Sequence, residues 1–282
     1  MAVALDIVRS RANPVFRRLR ALRERGAERG LCLLEGPRLV LEALGAGVEV
    51  AEAVASPKAE ASPRGRAALE ALAARKVPLR RMHHDLLASL SEAETSQGLL
   101  AIARRPVFDE EWIFRGVPLV VVATGVQNPG NVGALLRTAE AAGATGAYVA
   151  EGCADPFSWK ALRGSMGSAF RLPQVRGVKA GAIVDRLEAR GIVVLAADAG
   201  GNRRYDEVDL AGPVALLLGS EGAGLPPDLL RRAAARLAIP LAAPVESLNV
   251  GAAAAVLLFE AARQRRLGGS TETGRPQESW RS

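Results

Sequence analysis

Three short segments contain polar side chains, two of them together with glycine and the third directly before Gly251, and each follows or precedes a run of apolar residues. They are Asn128-Pro-Gly-Asn131 with Arg137, then Gly219-Ser-Glu221-Gly222, and then Ser247-Leu248-Asn249-Val250. Glycine lets a backbone approach a ligand closely, and amide, carboxylate and guanidinium groups can orient a phosphate or a hydroxyl group. Ligands of parallel α/β sheets bind at the carboxyl ends of the strands, which is where these segments are expected.

Each segment also has an ordinary structural interpretation. Asn131 and Ser247 could each cap the helix that follows, Glu221 could be a turn residue, and Arg137 could be an exposed surface charge. Asn249 is less easily explained as a cap, because it lies just inside a predicted helix from Leu248 to about Arg265. None of the segments is a GxGxxG dinucleotide loop or a P-loop.

The composition excludes several classes of site. Cys32 and Cys153 are far apart, and His83 and His84 are adjacent, so we expect no metal site, no disulfide framework and no Ser-His-Asp triad. The first residues lack the pattern of a signal peptide, and the apolar run from Val250 to Phe259 is too short to cross a bilayer. We therefore expect a cytoplasmic protein with no membrane partner.

The charge points towards an anionic partner. The net charge is +7, and residues 9–29 hold eight arginines and two glutamates. This could be a solvated helix face, or it could bind phosphates, which arginine pairs with well. The candidate RNA-binding residues are Arg9, Arg11, Arg17, Arg18 and Arg20.

Strands and helices alternate along the chain, which predicts an α/β protein with two domains. The expected limits are residues 1–105 for a small α/β domain, 106–116 for a linker, 117–266 for a parallel-sheet domain and 267–282 for a flexible tail. Pro78 favours an edge position for the strand from Val77 to Met82. Residues after Ala150 have no clear periodicity and are expected to be irregular.

The three segments, taken in order, resemble the motifs of the TrmH/SpoU family in the SPOUT methyltransferase superfamily. The stretch from Arg163 to Pro173 also resembles the family's middle segment. The first domain, with Leu34-Glu35-Gly36 and Ser96-Gln97-Gly98, looks more loosely like the RNA-substrate-binding domain of many members. Ala139 is a mild departure, since relatives often have Cys there.

The resemblance implies a SPOUT-type parallel sheet with a deep trefoil knot, a homodimer, and S-adenosylmethionine as the cofactor. It also implies which residues do the chemistry. The implied catalytic residues are Asn131, Arg137, Glu221, Ser247 and Asn249. The implied cofactor-binding residues are Thr124, Leu218, Gly219, Glu221, Gly222, Ile239, Leu241, Leu248 and Asn249.

The implied reaction is methylation of a ribose 2′-hydroxyl of structured RNA, with 23S-type ribosomal RNA preferred and transfer RNA as the alternative. In relatives the arginine equivalent to Arg137 is proposed as a general base. A guanidinium stays protonated at neutral pH. In the second interpretation Arg137 therefore binds the phosphate of the target nucleotide and stabilises the negative charge that develops on the ribose oxygen. A catalytically silent RNA-binding protein of the same fold, and a methyltransferase for small molecules or proteins, are the other hypotheses.

Overall fold

The computed structural model describes residues 7–25, 30–91 and 96–269. The chain divides into two compact units. Unit 1 comprises Met1–Phe108, Asn128–Arg137 and Ala154–Arg171, and unit 2 comprises Asp109–Gln127, Thr138–Cys153 and Leu172–Ser282. Most of the predicted tail lies outside the described residues, and the predicted domain limits stay a prediction.

Unit 1 contains a five-stranded mixed sheet. Its strands are β1 (Ile7–Val8), β2 (Leu31–Glu35), β3 (Val50–Ala55), β4 (Leu79–Met82) and β5 (Leu99–Arg104). Its helices are α1 (Pro14–Arg25), α2 (Pro37–Gly45), α3 (Pro57–Ala61), α4 (Pro63–Ala74), α5 (His84–Ala88), the first part of α6 (Pro129–Ala141), α7 (Trp159–Ser165) and α8 (Ser168–Arg171).

The strand order in this sheet is β1-β4-β3-β5-β2. Strand β5 pairs antiparallel with β2 and β3, whereas β4 pairs parallel with β3 and β1. The expected edge position of the strand after Pro78 is therefore wrong. Pro78 precedes β4, so its missing N–H removes no bond from the ladder, and its carbonyl accepts from the Ala53 N–H at 2.9 Å.

Unit 2 contains a seven-stranded parallel sheet, as predicted, with the order β10-β12-β9-β11-β6-β7-β8. The strands are β6 (Leu119–Ala123), β7 (Gly146–Val149), β8 (Gln174–Arg176), β9 (Val193–Ala197), β10 (Arg203–Arg204), β11 (Val214–Leu218) and β12 (Ala235–Ala238). The helices are the end of α6, α9 (Ala180–Glu188), α10 (Pro227–Arg232) and α11 (Val250–Gly269), with 3-10 turns at Glu110–Phe114 and Tyr205–Glu207.

The sheet of unit 2 is held by an almost wholly aliphatic core. Every residue of β6 and β11 is buried, as expected for central parallel strands covered on both faces. The 3-10 turn at Glu110–Phe114 joins this core through Ile113, which is fully buried. The Tyr148 hydroxyl donates to Glu110, which also binds Arg186 at 3.0 Å, and burial raises the pKa of Tyr148.

The stretch after Ala150 is more regular than expected, because it contains α7, α8 and β8. Helix α7 packs closely on the first part of α6. A Cβ at Gly133 would lie 2.3 Å from the carbonyl oxygen of Ala161, and one at Gly164 would lie 3.0 Å from that of Gly130. The glycines of the first and middle motifs therefore allow α7 and the first part of α6 to approach each other.

No helix among the described residues is long and apolar enough to span a membrane. Within the same part of the chain, His, Cys, Asp and Glu form no group of three or more that could hold a metal ion. The knot and the homodimer stay predictions.

Candidate functional site

A cavity of about 320 Å³ lies in unit 2 at the carboxyl ends of β9, β11 and β12. Small-molecule sites range from roughly 300 to 1,000 Å³. Apolar side chains dominate its walls, and the polar ones come from three loops. Its lining consists of residues 197–199, 218–225, 237, 239, 241, 247, 248, 250 and 253.

The loop after β11 folds back on itself over this cavity. Gly219 makes this possible, because a Cβ there would lie 2.3 Å from the carbonyl carbon of Gly224. The Gly224 N–H donates to the carbonyl of Ser220 at 2.9 Å, and Gly224 has φ +64°. Both glycines are therefore needed for the loop shape.

Glu221 and Asn249 join the second and third motifs. The Asn249 side-chain amide donates to Glu221 Oε1, and the Val250 N–H reaches the same oxygen at 3.3 Å. Asn249 Oδ1 accepts from the Gly251 N–H at 2.9 Å, and its carbonyl accepts from the Ala253 N–H at 2.9 Å. Asn249 is therefore the N-cap of α11.

The predicted start of α11 at Leu248 is thus two residues too early, and Ser247 does not cap it. The cap position follows from Asn249, whose side chain satisfies an N–H of the first turn. Ser247 lines the cavity instead.

The charges of the cavity favour a cationic ligand. Asp198 and Glu221 contribute carboxylates, and the lining includes no Lys, Arg or His. Arg236 is not part of the lining, and it forms an ion pair with Asp198, with Nε 3.1 Å from Oδ2. The apolar walls can hold an adenine ring, and the carboxylates suit the sulfonium and ammonium groups of S-adenosylmethionine. The residues present therefore fit this cofactor.

Most predicted cofactor residues line this cavity: Leu218, Gly219, Glu221, Gly222, Ile239, Leu241 and Leu248. Two do not. Asn249 acts through Glu221, and Thr124 lies beside the lining, with its N–H donating to the Leu218 carbonyl at 2.9 Å. Thr124 is buried, and its hydroxyl has no hydrogen-bond partner in the described part of the chain.

The predicted catalytic residues fall into two groups. Glu221, Ser247 and Asn249 come together in unit 2, whereas Asn131 and Arg137 lie on the part of α6 that belongs to unit 1. Asn131 is not the cap of α6, because Asn128 Oδ1 accepts from the Gly130 N–H at 2.8 Å. Arg137 is exposed and forms no ion pair with any residue that the structure describes.

Sequence reasoning missed the loop after β9, which places Ala197, Asp198 and Ala199 in the cavity wall. A signal was present. Asp198 follows an apolar strand and precedes Gly200-Gly201, which is the same strand-then-glycine pattern that identified the loop at Glu221.

The candidate RNA-binding arginines differ in their surroundings. Arg9, Arg11, Arg17 and Arg20 are exposed, while Arg18 is half-buried and paired with Glu52. Arg20 is also within 4.0 Å of Glu24. The candidates best able to bind a phosphate of RNA are therefore Arg9, Arg11 and Arg17.

Two family models match the chain. The SpoU rRNA Methylase family matches residues 118–259, and the MRM3-like substrate binding domain matches residues 13–101. The first match contains all three motifs and the cavity, and the second contains the arginine-rich segment from residue 13 onward, without Arg9 and Arg11.

Named relatives agree with these matches. The chain is 32% identical over 265 residues to an uncharacterized tRNA/rRNA methyltransferase of Synechocystis sp., covering 92% of this chain and 94% of the relative. It is 35% identical over 178 residues to the 23S rRNA (guanosine(2553)-2'-O)-methyltransferase RlmP of Bacillus subtilis, covering 63% of this chain and 70% of RlmP.

A solved structure with bound cofactor is also similar. It is the SpoU methyltransferase AviRb from Streptomyces viridochromogenes in complex with AdoMet, with a TM-score of 0.80 and 33% identity, covering 90% of this chain and 98% of AviRb. The chain belongs to the SpoU rRNA Methylase family, whose members are S-adenosylmethionine-dependent RNA methyltransferases.

Proposed function

We propose that this protein methylates a ribose 2′-hydroxyl of ribosomal RNA of the 23S type, using S-adenosylmethionine. The observation that carries the proposal is the cavity of unit 2, where the Gly219–Gly224 loop and the Ser247–Asn249 segment enclose a site without cations. The names of RlmP and of the Streptomyces viridochromogenes 23S rRNA (uridine(2479)-2'-O)-methyltransferase support 23S rRNA as the substrate.

The cofactor supplies an activated methyl group and its own leaving group, so the protein has to position and deprotonate the acceptor. Leu218, Ile239 and Leu248 offer apolar surface to an adenine ring. Asp198 and Glu221 balance positive charge in the same cavity. Asn249 holds Glu221 in place and fixes it to the start of α11.

A ribose hydroxyl is a weak acid, so its deprotonation needs electrostatic help. Arg137 is the cation assigned to this task, because no residue among the described ones neutralises it and it resembles the family's motif-one arginine. We assign it the role of clamping phosphate and stabilising the developing alkoxide. Accepting the proton directly would require a neutral guanidinium, which is costly at neutral pH.

The test is to map ribose methylation across ribosomal and transfer RNA in a strain that lacks this protein. Loss of one 2′-O-methyl group in 23S-type RNA, restored by the wild-type gene, is the expected result. Loss of a site in transfer RNA would select the alternative substrate. An unchanged map would refute methylation of either RNA and leave a silent RNA-binding protein of this fold.

A small-molecule or protein methyltransferase is the remaining alternative. Such an enzyme would show no salt-sensitive binding of RNA. The arginine-rich segment of unit 1 instead predicts that RNA affinity falls steeply as the salt concentration rises. The homodimer proposed from the resemblance is tested by light scattering of the purified protein, where a mass near that of one chain would exclude it.

A further inference from the structure

A cavity in unit 1 takes no part in the proposed methyl transfer. It has a volume of about 600 Å³ and lies where the end of β2 meets the start of β5. The Gly36 N–H donates to the Leu99 carbonyl at 2.9 Å, which brings Glu35 and Gln97 to one wall. These are the two first-domain segments that the sequence singled out.

The floor of this cavity is a buried carboxylate. Glu35 has a side chain that is only 7% exposed, and its Oε1 accepts from the Ser91 hydroxyl. Its Oε2 is buried and has no hydrogen-bond partner among the residues that the structure describes. Arg163 Nη1 lies 3.9 Å from Oε2, close enough to balance the charge but beyond hydrogen-bond length. One acceptor is therefore unused, which is costly unless a ligand supplies the donor.

The walls of the cavity supply an apolar surface and a side-chain amide, both of which can contact a nucleotide base. Met166 and Leu39 give apolar surface against which a base can pack. Gly36, with φ +86°, leaves room for the Gln97 amide, whose Oε1 lies 3.1 Å from where a Cβ would be.

The rim is cationic. Arg38, Lys160 and Arg163 line the opening, and Arg38 is exposed with no ion pair to any described residue. Glu42, the second acid of the lining, is already held by Arg171 at 2.6 Å. The cavity thus combines an unused buried acceptor, apolar walls and a positively charged mouth.

We propose that this cavity binds one nucleotide of the RNA substrate, with its phosphate at Arg38 and Arg163 and the amino group of its base on Glu35 Oε2. The carboxylate favours a base with an exocyclic amino group and disfavours a carbonyl at the same position. The Arg163 guanidinium turns from Glu35 to the phosphate as the base enters. This subsite rests on the proposed function, because it assumes that RNA is the substrate.

The test uses CMP and UMP, which differ at C4, where cytosine has an amino group and uracil a carbonyl, and at N3, which carries a hydrogen only in uracil. Each is titrated by NMR into the full chain saturated with S-adenosylhomocysteine, so that the cavity of unit 2 is filled. A hydrogen bond to a charged group is stronger than one between neutral groups, so we expect CMP to bind about tenfold more tightly than UMP. Equal binding of the two nucleotides would overturn the proposal.

Three variants separate recognition from folding. Glu35→Gln should reduce the preference for CMP to less than about twofold, while Glu52→Gln, another poorly exposed glutamate paired with an arginine, should retain it. Arg38→Ala should lower the affinities for CMP and UMP about equally. Arg64→Ala, which changes an exposed arginine on α4, should leave both affinities unchanged. Thermal unfolding identifies any variant that has lost its fold, and a Glu35→Gln protein that folds and keeps the preference would also contradict the proposal.

Failure of this proposal can be distinguished from failure of the proposed function. With 23S rRNA, Glu35→Gln and Arg38→Ala should raise KM about tenfold and leave kcat within about twofold. A wild-type protein that methylates rRNA but shows no preference between CMP and UMP would refute the subsite alone. A wild-type protein that prefers CMP but methylates no RNA would refute the reaction alone.

Discussion

Two cavities, one in each unit, differ in the charged side chains that line them, because only the cavity of unit 1 combines carboxylates with cations. The cavity of unit 2 is lined by Asp198 and Glu221 and by no cation, whereas that of unit 1 has Arg38, Lys160 and Arg163 at its opening. Both contain glycines that allow close backbone approach. The difference fits the ligands proposed for the two cavities, since a sulfonium cofactor is cationic and an RNA chain carries one negative charge per nucleotide.

This contrast explains how one chain with net charge +7 can bind both a cation and a polyanion. The acidic cavity is small and enclosed by loops at the end of a parallel sheet, so its local field is set by a few fixed groups. The arginines of unit 1 are spread over an exposed surface, where they act on an extended ligand.

The largest effect should come from Arg137, which tests whether the exposed cation of α6 acts on the reaction. Arg137→Ala should lower kcat about 10²–10³-fold, the range found when one group that stabilises developing negative charge is removed. Affinity for S-adenosylmethionine should change little, and RNA affinity should fall only by the loss of one phosphate contact, far less than the rate. Single-turnover methyl transfer measures the rate, and Arg231→Ala, an exposed arginine on α10, serves as the control. An undiminished rate would remove Arg137 from the mechanism.

The second effect is the salt dependence of the affinities for RNA and for S-adenosylmethionine. If five arginines each release one counterion, RNA affinity should fall roughly 500-fold between 50 and 200 mM salt, with a log–log slope near −4.5. Affinity for S-adenosylmethionine should stay within about twofold. Arg17→Ala should reduce the slope by about one, as measured by filter binding, while a flat RNA response would contradict phosphate-based binding.

The third effect tests the loop of the acidic cavity. Gly219→Ala places a Cβ 2.3 Å from backbone of Gly224, and overpacking of this kind costs about 1–3 kcal/mol. Calorimetry should show S-adenosylmethionine affinity reduced about 10–100-fold with RNA affinity retained. Gly181→Ala on α9 has open space around the new Cβ and should bind normally. Equal affinity in both variants would mean that the loop does not shape the site.

The smallest effect concerns the link between Glu221 and Asn249. Asn249→Ala removes an N-cap, which costs about 0.5–2 kcal/mol of unfolding free energy. Contacting residues couple by about 0.5–3 kcal/mol, so a double-mutant cycle with Glu221→Ala should show non-additive losses in S-adenosylmethionine affinity. Additive losses would show that the hydrogen bond between them does not support binding.

Sequence alone predicted the parts of the fold that depend on local pattern. The apolar runs of β6 and β11 and the order of the three motifs were enough to predict a parallel sheet and seven residues of its cavity. Asp198 was missed because its loop, Asp198 to Asn202, belongs to none of the three motifs, although it too follows an apolar strand and contains glycines. Helices α7 and α8 were missed because they are short and packed through glycines, which periodicity cannot detect.

The details of the site depended on tertiary contacts. Asn249 was placed inside α11, although its side chain caps that helix and binds Glu221 from a distant loop. Glu35 and Gln97 were noted as motif residues, but their meeting at one cavity depends on the antiparallel pairing of β2 with β5. Such pairings join residues far apart in the chain, so local spacing does not reveal them.

We propose that this chain transfers a methyl group from S-adenosylmethionine to a ribose of ribosomal RNA. The most direct measurement incubates the purified protein with methyl-labelled S-adenosylmethionine and unmodified 23S rRNA, then identifies the labelled nucleoside by mass spectrometry. We predict one 2′-O-methylated nucleotide with wild-type protein and very little with Arg137→Ala. Label on a base, or no label with a protein that binds both ligands, would contradict the claim.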